Sequence, residues 1–139
     1  MKRYRGHRDA PGVALIEVLE DGAEVGRPLR HHIRHSPTGF EWGYAGSGPA
    51  DTARCLLIDY LGHDVPATVY QRFKAIVVQG LPAQWELRAE DLARALAQLR
   101  AETGLECLRC GDRGYWLEED GYCTCDEGRR ARLEIEGIP

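Results

Sequence analysis

The chain has 139 residues, enough for one domain with a real core and too few for two large ones. Apolar residues make up 43% and charged residues 29%, which excludes wholesale disorder and fibrous repeats. A net charge of -4 and an isoelectric point near 5.7 argue against a general nucleic-acid coat, because phosphate binding needs accumulated Lys and Arg. The longest apolar runs, such as Cys55 to Ile58 and Ala75 to Val78, fall far short of the roughly 20 residues a bilayer span needs. The charged start MKRYRGHRDAPG lacks the apolar stretch of a secretory signal, so a cytoplasmic location with reduced thiols is expected.

In chain order, Tyr4 to Arg8 and Val13 to Leu19 read as strands, and Asp21-Gly22 after the second is a hairpin turn signal. A third strand is expected over about Pro28 to His35, where alternation is poor. Ser36 to Pro49 packs Gly, Pro and Ser around Phe40, Trp42 and Tyr44 and reads as an ordered loop. A first helix follows, with Gly48 at its N-cap, Pro49 at its first position and Asp51 in its first turn, where the carboxylate complements the helix dipole. Its apolar face is Ala53, Leu56, Leu57, Tyr60 and Leu61. Gly62-His63-Asp64 breaks it. Asp64 or Val65 then caps a second helix with Val69, Tyr70, Phe73, Ile76 and Val77 inward, which Gly80 and Pro82 end. Gln84 to Arg88 makes a strand carrying Trp85, and Glu90 to Glu102 a third helix closed by Gly104.

After Gly104 apolar periodicity disappears and cysteines cluster, which divides the chain into a core over 1–104 and a cysteine module with its tail over 105–139. The fold class expected is α+β: a small antiparallel sheet packed with about three helices, plus a C-terminal zinc-ribbon or knuckle-like module. That module is below the roughly 40 residues at which a chain can usually bury a core without metal or disulfides.

Cys107, Cys110, Cys123 and Cys125 are arranged as Cys-x-x-Cys, twelve residues, then Cys-x-Cys, which is the spacing of metal ligands. A two-residue gap lets one tight turn, here followed by Gly111, aim both sulfurs at one ion. The connector GDRGYWLEEDGY suits a β-hairpin that returns the second pair. A one-residue gap puts alternate side chains on one side only if that stretch is extended. The reading is one structural Zn2+ held by four thiolates, a closed sphere with no position for water or substrate. Binding of about 10 to 16 kcal/mol, as in zinc-finger peptides, would then supply most of the module's folding energy. Cys55 reads as a core residue of the first helix.

The run HSPTGFEWGYAGSGPAD from His35 to Asp51, continued by Tyr70, Phe73-Lys74 and Leu81-Pro82 before Trp85, resembles a family of small phage and bacterial proteins catalogued as a domain of unknown function. The likeness spans about Tyr4 to Leu96 and implies a mobile-element context, with the cysteine module as an addition. No activity comes with it. The loop is not a phosphate-binding P-loop, since no Lys follows Gly-Ser-Gly, and its bland reading is that Phe40, Trp42 and Tyr44 pack under the helices. His31, His32 and His35 invite a metal or catalytic reading, yet on a strand His31 and His35 would share a face while His32 points away.

The phage context that the resemblance implies favours a non-enzymatic binding protein that docks on a host macromolecular complex, and that context, not any residue, makes RNA polymerase the first target and a host immune factor a close rival. Nucleic-acid binding is the alternative, through Arg109, Arg113, Arg129, Arg130 and Arg132 with Tyr115, Trp116 and Tyr122 available to stack. Glu118, Glu119, Asp120, Asp126 and Glu127 oppose it. The residues singled out for binding are His35, Trp42, Tyr44, Arg113, Trp116, Arg129 and Arg130. No small-molecule substrate is evident, and an enzyme would have to use the His35 loop. The tail from Arg129 to Pro139 reads as a short helix, an added strand or a flexible docking segment, and its Leu133-Ile135 alternation favours the strand slightly.

Overall fold

The computed structural model describes residues 2–9, 13–23, 25–34, 39–116 and 121–136. Strands β1 (Arg3–Asp9), β2 (Val13–Leu19), β3 (Arg27–Pro28) and β4 (Gln84–Arg88) form one antiparallel sheet in the order β3-β2-β1-β4. The register sets Tyr4 opposite Val18 and Leu87, and Gly6 opposite Ile16 and Trp85, so one face is apolar. Arg5 faces Glu17 and Glu86 on the other side, where Arg5–Glu17 and Arg3–Glu86 ion pairs lie exposed.

The expected third strand is shorter than the sequence suggests. Only Arg27 and Pro28 pair with β2, and Leu29 adds one more bond to Ile16. Beyond it the chain leaves the sheet to lie on a helix, where the His32 amide donates to Cys55 Sγ (3.2 Å) and the Arg34 amide to Asp51 Oδ2 (3.2 Å). His31 and His32 therefore stand on irregular chain, not on two faces of a strand.

Helices α1 (Ser47–Leu61), α2 (Ala67–Ile76) and α3 (Ala89–Thr103) cover the apolar face. α1 begins two residues earlier than expected: Gly46 is the cap in extended conformation and its carbonyl accepts from Ala50. Pro49 still lies in the first turn, where a missing N–H is harmless, but Asp51 falls beyond it. α1 is buried through Leu57 on nearly every side, and Gly62, left-handed at φ 80°, ends it. At α2 Pro66, rather than Asp64 or Val65, is the cap, its carbonyl accepting from Val69 and Tyr70; the helix stops at Ile76, before a single 3-10 turn over Val78–Gly80. α3 opens with the Asp91 carboxylate accepting the Arg88 N–H (2.8 Å) and closes at left-handed Gly104, as the sequence suggests.

The C-terminal segment holds a second small sheet, β5 (Tyr115–Trp116) paired antiparallel with β6 (Gly121–Tyr122), and helix α4 (Asp126–Glu136). Of the readings open for the tail, helix prevails over the slightly favoured strand. Leu133 is 44% exposed, so its side chain does not anchor a strand. Asp126 and Glu127 stand in the first turn and pair with Arg129 and Arg130 three residues on, both of which favour helix.

Candidate metal centre

Cys107 and Cys110 sit on one tight turn. The Gly111 amide donates to the Cys107 carbonyl (2.9 Å), and Gly111 and Asp112 both adopt positive φ, 63° and 62°. Asp tolerates that conformation, and its side chain secures it: the Asp112 carboxylate accepts the Cys107 amide at 2.7 Å and the Glu106 amide at 3.0 Å. The cysteine spacing alone does not point to Asp112; the signal that marks it is an Asp after the glycine of Cys-x-x-Cys-Gly.

The β5–β6 hairpin returns the second pair as expected, with the Cys123 amide bonded to the Gly114 carbonyl (2.9 Å). The Cys-x-Cys stretch, however, is not extended. Thr124 and Cys125 bend, and the Cys125 carbonyl accepts from Arg129 to open α4. The sulfurs converge because the chain turns from strand into helix. Gly128 permits this: a Cβ there would stand 1.7 Å from the Cys123 carbonyl oxygen.

All four sulfurs lie within 4.8 Å of one another, and Cys107–Cys123 and Cys110–Cys125 are each 3.6 Å apart. Four sulfurs at about 2.3 Å from one tetrahedral ion stand about 3.8 Å from each other, so the set fits one ion. A polynuclear iron–sulfur cluster, whose cysteines ligate separate irons from outside, needs a wider spread. Burial pushes the Cys110 and Cys125 thiols up, so they stay protonated unless a cation displaces the protons. Backbone hydrogen bonds from Gly114 to Cys110 and from Gly128 to Cys125 oppose that rise and would support thiolate ligands.

The other residues singled out for binding separate. Trp42 is 1% exposed and its indole N–H donates to the Pro82 carbonyl (2.8 Å), so it is core and cannot meet a partner. Tyr44, expected under the helices, is 47% exposed and lies over Gly46. Phe40 is buried against the His31 ring (4.6 Å between centroids), and His31 Nε2 stands 3.6 Å from Oδ2 of fully buried Asp51. The loop is stapled to α1 by Thr52, whose hydroxyl donates to the Glu41 carbonyl (2.8 Å) and accepts the Glu41 amide (3.1 Å). The Glu41 side chain also lies against Gly48, which puts a carboxylate at the helix N-terminus and disfavours an anion there. Cys55 is buried as expected, and burial pushes its thiol up to about 11. Arg113, Arg129 and Arg130 are exposed, the last two beside Asp126 and Glu127. His35 and the side chain of Trp116 lie outside the described residues.

The model of a family of unknown function, DUF6166, matches residues 4–98. The chain belongs to this family. No curated protein and no solved structure matches it. The DUF6166 match takes in the sheet, α1, α2 and most of α3, and ends before the first cysteine of the cluster. No helix among the described residues is long and apolar enough to cross a membrane.

Proposed function

We propose that Cys107, Cys110, Cys123 and Cys125 hold one structural zinc ion, and that the protein is a non-enzymatic docking protein in which a DUF6166 core carries this zinc-stiffened knuckle to a host macromolecular complex. The observation that carries the metal part is the gathering of four sulfurs within 4.8 Å. Thiolate-only ligation selects zinc among the abundant divalent ions, and four protein ligands leave no open position for chemistry. The ion's work is then to order a short segment into a rigid surface.

The signature HSPxGFxWGYxGSGPAD and the phage context belong to the same proposal, and RNA polymerase is the first target to test. Nucleic-acid binding is less well supported, because the α4 arginines stand beside Asp126 and Glu127. Elemental analysis of purified protein should find one zinc per chain and no iron. Pull-down with purified RNA polymerase, set beside a nucleic-acid titration over salt, decides the partner. Affinity for nucleic acid that falls steeply between low and moderate salt would reverse the ranking.

A further inference from the structure

The first of the two residues between Cys107 and Cys110 has left the cysteine cluster. Leu108 is 5% exposed and belongs to the same apolar cluster as Leu56, Tyr70, Phe73 and Leu99, with Leu105 packed beside it. On the same turn, Gly111 leans on the start of α2: a Cβ there would come within 3.1 Å of Pro66 and 3.2 Å of Thr68. Packing thus crosses from the cysteine segment into the core that the family match covers.

A turn that offers its sulfurs to a metal on one side and a leucine to the core on the other couples the two. The turn's shape depends on Gly111 and Asp112 at positive φ, a conformation that costs free energy at Asp112 and persists only while its surroundings hold it. Hydrogen bonds from Cys107 and Glu106 to Asp112 hold one end of the turn. The other end is tied down through Cys110, whose sulfur stands 3.6 Å from that of Cys125 on a segment with little apolar burial of its own.

We propose that the metal site is a latch on the core: the ion keeps the Cys107–Cys110 turn in the shape that seats Leu108, so that losing it loosens the helices around Leu108. This deepens the metal reading and rests on it. It makes the stability of the family domain in this chain depend on metal supply, through one leucine. A ligand bound only by the latched form stabilises that form, and removing it shifts the population towards the open one.

The test is amide hydrogen exchange by NMR on the full chain, zinc-loaded and after chelation, read at Leu56, Phe73 and Leu99. Chelation should speed exchange at these amides about 30-fold or more, the effect of unseating a core leucine. Leu108→Ala should keep one zinc per chain, exchange fast even when loaded, and show less than about a 3-fold further effect of chelation. If the alanine variant does not fold, Leu108→Val should show the same loss of metal dependence in part. Stoichiometric zinc whose removal leaves the three amides within about 2-fold would overturn the latch and leave the metal site standing. A Leu108→Ala protein that keeps the full chelation effect would also overturn it. A protein that takes up no zinc sinks both.

Discussion

Arg54, midway along α1, and Asp64, beyond its end, form a two-pronged ion pair, Nε to Oδ1 at 3.0 Å and Nη2 to Oδ2 at 2.8 Å. The third guanidinium nitrogen donates to the His32 carbonyl (3.2 Å), and Asp64 also accepts the Val65 amide (2.7 Å). One nearly buried arginine therefore ties the segment before the glycine-rich loop to the turn before α2. Asp64→Ala leaves that charge without its counter-ion. Asp64 is about one-third exposed, so the expected loss is about 2 kcal/mol rather than the 3 to 5 kcal/mol of a fully buried pair. A denaturant midpoint at unchanged slope measures it, and an unshifted midpoint would show the pair contributes nothing.

Asp59 gathers Tyr4 Oη (2.7 Å), Arg27 Nη2 (2.8 Å) and Lys2 Nζ (3.3 Å). Burial alone would raise its carboxyl, but the hydrogen bonds from Arg27, Tyr4 and Lys2 outweigh that and hold it below its ordinary 3.8. Asp64 is lowered in the same way, burial again being outweighed, by Arg54 and the Val65 amide. The unfolded chain then takes up protons at higher pH than the native one. The stabilisation is complete well above 3.8 and drains away as pH falls through the native values. Asp59→Asn should lose less stability than the parent between pH 6 and pH 3, as read by urea midpoints at each pH. An equal drop in both would place the acid sensitivity elsewhere.

Gly6 is where the sheet admits Trp85. A Cβ at Gly6 would fall 2.2 to 2.5 Å from indole atoms, and the displaced ring would lose its edge contact with Trp42, now 5.5 Å between centroids at 90°. Gly6→Ala should cost about 2 kcal/mol, in the range of overpacked cores, and alter the near-ultraviolet circular dichroism of the tryptophans. An unchanged spectrum at parental stability would mean the indole does not rest on Gly6.

Gly128→Ala drives a methyl group into the Cys123 carbonyl and must push α4 off the second cysteine pair. Zinc affinity, measured by competition with a coloured chelator, should fall about 10- to 100-fold, the usual scale for a residue that positions ligands without touching the metal. Far-ultraviolet circular dichroism of the core helices should change little. Parental affinity would show that the second pair is placed by something other than this close approach.

Much of the architecture is local and so legible in the residues. Strand β4 and the left-handed ends at Gly62 and Gly104 follow from patterns a few residues long, and the four cysteines from their spacing along one segment. The failures occur where a distant contact wins. Over Leu29 to Arg34 weak alternation suggests strand, yet Asp51 and Cys55 draw the backbone onto α1. The tail is a local contest instead: Leu133 and Ile135 alternate, yet charges three residues apart and an acidic first turn favour helix.

Turn chemistry and periodicity, which act within a few residues, are enough for most of the core's strands and helices, and the cysteine spacing is enough for four sulfurs that could meet. The tertiary structure makes Trp42 core while Tyr44, two residues on, is surface. It also decided that Leu108 belongs to the core rather than to the cysteines on either side of it. Burial depends on which surfaces the fold brings together from afar, and a residue's neighbours in sequence carry no record of them.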